Sequence, residues 1–168
     1  NEAIEELAEG IRKEFPSPER LAILGIRTRG AVLAERVHSL LEDSYKSSVG
    51  LGILDITFYR DDLSRLGPNP MVRGSDLPFD LADAYVVLVD DVMYTGRTAR
   101  AALDEISDFG RPSLIRLAIL VDRGLRELPI HPDFCSLRIS SSHNQRVRVL
   151  MEEIDDEDGV YLDTMEEG

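Results

Sequence analysis

VVLVDDVMYTGRT, residues 86–98, runs an apolar segment into two adjacent carboxylates and then into a Thr-Gly-Arg-Thr turn. Tyr85 to Val89 is short, rich in β-branched residues and free of polar alternation, the pattern of a strand covered on both faces. Asp90 and Asp91 then fall at its carboxyl end, where open α/β sheets bind ligands, and Thr95, Gly96, Arg97 and Thr98 open the next helix. The first turn of a helix carries N–H groups with no intrahelical acceptor, so the stretch predicts an anion site with a sugar or metal clamp beside it.

Outward from this stretch, helices and strands alternate. Ile4, Leu7, Ala8, Ile11 and Phe15 mark one face of an opening helix that Pro16 and Pro18 end. Leu21 to Ile26 predicts a short buried strand, Ala31 to Leu41 a helix, and Val49 to Thr57 a strand with two glycines. A helix follows from Arg97 to Phe109, ended by Gly110 and Pro112, and then a strand from Leu114 to Val121. Asp133 to Ile139 and Arg146 to Met151 complete the set of strands. This alternation predicts an α/β fold, a mostly parallel twisted sheet with right-handed crossovers and helices on both faces. With 168 residues and neither repeat nor linker, the chain reads as a single domain over 1–168.

Between the second strand and the central one lies a polar stretch, residues 58–83, punctuated by Gly67, Pro68, Asn69, Pro70, Gly74 and Pro78. Structureless connections of this length are uncommon in compact domains unless they serve a function, so it predicts a flexible lid.

The single cysteine, Cys135, has no internal disulfide partner, and no apolar run approaches the roughly 18 residues that a membrane helix needs. A reducing, cytoplasmic setting without membrane contact is expected. Phe134 and Leu137 flank Cys135 in strand-like sequence, which predicts a structural thiol rather than a nucleophile. The net charge is −13, but nine acidic residues follow position 150 with no Lys or Arg among them, leaving −4 on the first 150 residues. Residues 152–168 therefore predict a solvated acidic segment, part edge strand and part disorder. Bulk charge does not support nucleic-acid binding. Of 19 basic residues only Lys13 and Lys46 are lysines, so nearly every fixed cation is a guanidinium, whose planar fork suits bidentate phosphate contacts.

Under the predicted topology four polar loops gather at the carboxyl ends of the strands. The first, Arg27 to Gly30, leads into a helix and offers amides and two guanidiniums to a second anion. The second carries Thr57, Tyr59, Arg60, Asp61 and Asp62; the third is the turn at 94–98; the fourth runs from Asp122 to Pro129. Two anion sites, a carboxylate pair and a lid describe a substrate with two phosphate-bearing ends joined by a sugar. His38, His131 and His143 lack metal-ligand spacing, and no Ser/His/Asp or Cys/His arrangement is present.

Residues 86–98 are similar to the phosphoribosyl diphosphate signature of the type I phosphoribosyltransferases. DITFYRDDL at 55–63 and VDRGLRELP at 121–129 resemble the branch of that family that joins uracil phosphoribosyltransferase activity to attenuation of pyrimidine operons. The resemblance covers roughly residues 20–162. It implies the type I fold with a small hood and a lid, a dimer or tetramer, and Mg²⁺ as cofactor. It also implies roles: Asp90 and Asp91 on the ribose hydroxyls and, with Asp122, near the metal; Thr95, Gly96, Arg97 and Thr98 on the 5′-phosphate. Thr28, Arg29 and Gly30 become the diphosphate loop, in which the family often has a non-proline cis peptide. Arg60 and Arg73 reach the diphosphate on lid closure, and Arg123 lies near the diphosphate or the base. Catalysis then rests on Asp90, Asp91 and Arg29 without a nucleophilic side chain.

Purine-handling members carry a carboxylate where this chain has Tyr94, so the resemblance implies a pyrimidine acceptor, uracil, with UMP as product. It also implies a second role, UMP-dependent binding of pyrimidine-operon mRNA. Here the chain departs from its relatives: Ser140 to Gln145 stands where they have further basic residues, and Leu125 replaces a histidine. Without that cluster the counterion-release contribution to RNA affinity is small. Arg12, Lys13, Arg20, Arg36, His143 and Arg146 remain as candidates for a local basic patch.

Overall fold

The computed structural model describes residues 1–61 and 74–165. Helix α1 (Glu2–Glu14) is followed by β1 (Leu21–Ile26), α2 (Arg29–Tyr45), β2 (Gly50–Leu54) and a 3-10 turn (Ile56–Tyr59). Then come β3 (Tyr85–Met93), α3 (Arg97–Phe109), β4 (Leu114–Asp122) and β5 (Phe134–Arg138). A smaller unit closes the chain: β6 (Gln145–Leu150), the short helix α4 (Glu152–Asp155) and β7 (Gly159–Thr164).

Five strands pair in the order β2-β1-β3-β4-β5, all parallel. The central strand β3 is apolar because it is covered on both sides. Val86 and Leu88 pack with Ala99, Ala102 and Ile106 of α3, whereas Val87 and Val89 pack with Leu33 and Val37 of α2 and Ile11 of α1. Helices therefore lie on both faces, as the alternation predicts. Val86 to Val89 are at most 1% exposed, and burial of each such side chain contributes roughly 1.5–3 kcal/mol. The order 2-1-3-4-5 reverses direction between β1 and β3, and a crevice for ligands opens at such a switch point.

One expectation is corrected. The second strand stops at Leu54 instead of Thr57, because the Asp55 side chain accepts a hydrogen bond from the Thr57 amide (3.2 Å) and starts the 3-10 turn. Residues 152–165 are largely exposed and include the expected strand. β7 pairs antiparallel with β6 from Gln145↔Thr164 to Leu150↔Gly159, so this tail builds a two-stranded hood separate from the main sheet. The predicted lid, 58–83, falls partly outside the described residues, as does Arg73. Its C-terminal flank is tied down: Asp76 bridges to Ile53, and the Ser75 hydroxyl accepts from the Asp55 amide (2.8 Å) while donating to buried Glu105.

Candidate active site

The turn after β3 follows from two residues. Gly96 caps α3 with φ +93°, in the left-handed region where a side chain is strained, and a Cβ there would also stand 3.3 Å from Leu128 Cβ. Thr95 fixes the turn from both sides. Its hydroxyl accepts from the Arg97 amide (3.3 Å), and its carbonyl accepts from the amides of Glu127 (2.9 Å) and Leu128 (3.0 Å). The fourth loop is thereby sewn to the third. α3 has no acidic residue in its first turn, so the positive end of its dipole is not offset within the helix.

In front of this turn is a cleft of about 270 Å³. Tyr94 to Thr98 form one wall, Leu117 and Ile119 the floor, and Asp90, Arg60 and Asp61 complete the lining. Asp90 is buried, and its carboxyl is held well above the usual carboxylate range, first by burial and next by the charge of Asp91; the Arg60 guanidinium works in the opposite direction. At the mouth, Asp61 accepts from Arg97 (2.7 Å) and Arg100 (2.6 Å), and Arg97 also reaches Glu127 (2.6 Å). A carboxylate thus already sits on the guanidiniums at the start of α3.

Not every expected residue faces this cleft. Asp91 follows Asp90 in β3 but does not line the cavity. Thr28 caps α2, and the Arg27–Thr28 peptide is cis. Gly30 abuts β3, where a Cβ would stand 3.0 Å from Asp90 Oδ1. Arg29 turns from the cleft to Asp155, with Nη2 2.6 Å from Oδ1. Asp122 is engaged on both oxygens, accepting from Arg126 (2.6 Å) and from the Gly124 amide (3.0 Å). Burial pushes its carboxyl up, but those bonds outweigh it and leave the group below its ordinary range.

Arg123 is also spoken for. It is 7% exposed, donates to the Ser141 hydroxyl and to the carbonyls of Ser142 and Gln145, and stacks 4.2 Å from the centroid of the Tyr94 ring. Tyr94 in turn stands 3.3 Å from His143 Nδ1. Arg123 therefore ties the 141–145 loop, the base of the hood, to the rim of the cleft.

Sequence reasoning missed Arg126 as the partner of Asp122, Asp61 as the partner of Arg97 and Arg100, and Asp155 as the partner of Arg29. Only the first has a local signal, its four-residue spacing. The candidate basic patch is dispersed. Arg20 precedes β1 at the amino end of the sheet, where it holds the Asp83 carbonyl, whereas His143 lies beside Tyr94 at the carboxyl end, and Arg36 is paired with Glu153 and Asp158. Cys135 donates to the Leu137 carbonyl (3.3 Å), and burial raises its thiol above the ordinary range, which suits a structural residue. No helix among the described residues is long and apolar enough to cross a membrane.

Sheet order, the cleft beside β3 and the strand-turn-helix cradle define the class. The phosphoribosyl transferase domain matches residues 1–152, and the chain belongs to that family. Within it the chain groups with the bifunctional PyrR proteins. It is 48% identical to the Bifunctional protein PyrR of Roseiflexus sp. (strain RS-1) over 161 residues, 95% of this chain and 88% of that one. It is 50% identical to the protein of the same name from Thermus aquaticus, with the same coverage. Among solved structures, the purine phosphoribosyltransferase from Pyrococcus horikoshii Ot3 superposes with TM-score 0.60 and 28% identity, covering 82% of this chain and 80% of that one. The hypoxanthine phosphoribosyltransferase of Trypanosoma cruzi superposes with TM-score 0.67 at 16% identity, over 98% of this chain and 91% of the other, a likeness of fold.

Proposed function

We propose that this phosphoribosyltransferase joins uracil to phosphoribosyl diphosphate, giving UMP and diphosphate, with Mg²⁺ as its metal. The observation that carries the reading is the cleft between β3, β4 and the start of α3, with buried Asp90 and the Tyr94 to Thr98 cradle in its lining.

Asp90 and Asp91 are the candidate metal residues. Two adjacent carboxylates suit Mg²⁺, an ion commonly held by one or two carboxylates together with substrate oxygens. A buried carboxyl pressed by a neighbouring one is also a site that a cation relieves. Asp122, already bound by Arg126 and the Gly124 amide, serves better to hold the 123–126 turn. When bound, Mg²⁺ supplies charge neutralisation at the departing diphosphate.

The chain's own residues do the rest. The amides of Thr95 to Thr98 hold the 5′-phosphate at the start of α3, and Asp61 yields Arg97 and Arg100 to it. Asp90 and Asp91 fix the ribose hydroxyls. Thr28, Arg29 and Gly30 receive the diphosphate, joined by Arg60. Departure of diphosphate leaves an oxocarbenium-like sugar, so holding both reactants in one dry cavity contributes more than a nucleophile would. The Tyr94 ring, held flat by Arg123, borders the base and offers no carboxylate to a purine ring nitrogen.

The assay is direct. Purified protein with uracil, phosphoribosyl diphosphate and Mg²⁺ is expected to form UMP, with loss of the activity on adding EDTA. Formation of IMP, GMP or AMP in place of UMP overturns the pyrimidine assignment.

A second reading, UMP-dependent regulation through pyrimidine-operon mRNA, is favoured by the word "bifunctional" in the names of relatives at 48–50% identity. A gel-shift titration with the leader RNA of the pyrimidine operon is expected to show a shift that needs UMP. Its salt dependence should be shallow, because Arg36 and Arg20 are already engaged within the protein. Absence of any UMP-dependent shift at moderate salt leaves a salvage enzyme.

A further inference from the structure

Arg29 opens α2 directly after the 27–28 turn, and its partner lies 126 residues away. Asp155 receives the guanidinium side-on: Nη2 donates to Oδ1 (2.6 Å) and Nε approaches Oδ2 (3.3 Å). Asp155 is itself fixed, because its Oδ2 accepts from the Met151 amide (2.9 Å) while its own amide donates to the Met151 carbonyl (2.7 Å). Those bonds, first the Met151 amide and then Arg29, hold the carboxyl below its usual range. The pair is sheltered, with side-chain exposures of 35% for Arg29 and 16% for Asp155.

Two turns along the same stripe of α2, Arg36 grips the same acidic segment. Nη2 contacts Glu153 (2.5 Å) and Asp158 (2.7 Å), and Asp158 is pushed down to about 2 by Arg36 and the Glu152 amide. The segment 151–158 is the tip that joins β6 to β7, so the hood is anchored to the helix that starts at the diphosphate turn.

We infer that Asp155 is a positioning residue for the diphosphate subsite, acting through Arg29. This rests on the phosphoribosyl diphosphate reading above. A side-on carboxylate fixes the plane of a guanidinium and occupies its Nε and Nη2, leaving Nη1, which makes no hydrogen bond among the described residues, as the donor edge for an anion. Without Asp155 the side chain must be ordered by the ligand itself, which weakens binding. The acidic tip is thus part of the site although it is remote in sequence and carries the charge a diphosphate repels.

The test compares diphosphate with a ligand that lacks it. Asp155→Asn is expected to raise KM for phosphoribosyl diphosphate and Kd for free diphosphate about tenfold. KM for uracil and calorimetric Kd for UMP should stay within twofold. Asp158→Asn, which loosens the same tip through Arg36 alone, should leave the diphosphate constants within twofold of wild type. Asp155→Glu should recover part of the loss. Arg29→Lys, which keeps the charge and loses the fork, should reproduce the defect from the other side, with no further loss when Asp155→Asn is added; if Asp155→Asn folds poorly, the carboxylate-keeping Asp155→Glu, expected to shift the diphosphate constants and not those of UMP, serves in its place. Equal weakening of UMP and diphosphate, or an equal effect of Asp158→Asn, overturns the inference while leaving the enzyme reading intact. Wild-type protein that binds neither ligand and forms no UMP overturns both.

Discussion

Asp90→Asn is expected to cost on the order of 100-fold or more in kcat/KM for phosphoribosyl diphosphate while the protein melts at or above the wild-type temperature at neutral pH. The two halves of this result have one cause. Asp90 is 8% exposed and adjoins Asp91, so its ionised form is disfavoured by lost hydration and by a like charge. The amide variant keeps the shape and removes that burden, but on the proposed reading it also removes a ligand for ribose hydroxyls and metal. Asp91→Asn should likewise reduce turnover strongly without unfolding the chain.

The sign of the pH dependence follows from the raised carboxyl of Asp90. An unfolded aspartate titrates near 3.9. Between that value and the higher folded one, the native chain holds a proton that the unfolded chain has lost. Stability from this group is therefore full below the unfolded value, falls as pH rises through the window, and becomes a constant penalty above the folded value. Melting curves in metal-free buffer from pH 4 to 8 should show the gap between Asp90→Asn and wild type widening with pH. A variant that melts lower than wild type at neutral pH, or one with unchanged activity, sinks the assignment.

What was legible in the sequence is what is encoded locally. Helix α3 spans Arg97–Phe109, the boundaries its sequence predicts, because Gly96 and Gly110 punctuate both ends. β3 is recognisable because a strand covered on both faces leaves an unbroken apolar run. Asp90 and the 94–98 turn inherit their places from those two elements. Side-chain partnerships were not legible. The resemblance assigned Arg29, Arg123 and Asp122 to ligands, and each also has a partner within the protein that sequence reasoning missed, Arg29 one 126 positions away. In the acidic tail the exposed strand was legible but its anchorage was not, because Arg36 and Arg29 supply the compensating cations from α2. Chain composition has no means of recording that pairing.

The second large effect lies at the contact between α2 and β3. Gly30 sits in the first turn of α2, where an Ala would ordinarily favour the helix by about 1 kcal/mol. Here the added Cβ would stand 2.8 Å from the Val89 carbonyl oxygen, 3.0 Å from Asp90 Oδ1 and 3.1 Å from Asp90 Cα. Two of the three are backbone atoms of the central strand, so relief comes only from moving the helix start. Overpacking of this kind costs roughly 1–3 kcal/mol, which matches or exceeds the helix gain. Gly30→Ala should therefore lower the melting temperature by a few degrees at most. The loss of activity should be much larger, on the order of 100-fold in kcat/KM, since the same shift displaces the 27–30 turn and Asp90 together, and about 1 Å of misplacement is enough for that. Thermal melts and steady-state kinetics on one preparation separate the two effects. An Ala variant that melts higher and keeps its activity would mean that α2 can retreat without disturbing the turn, and the close approach of Gly30 to Asp90 would then have no bearing on catalysis.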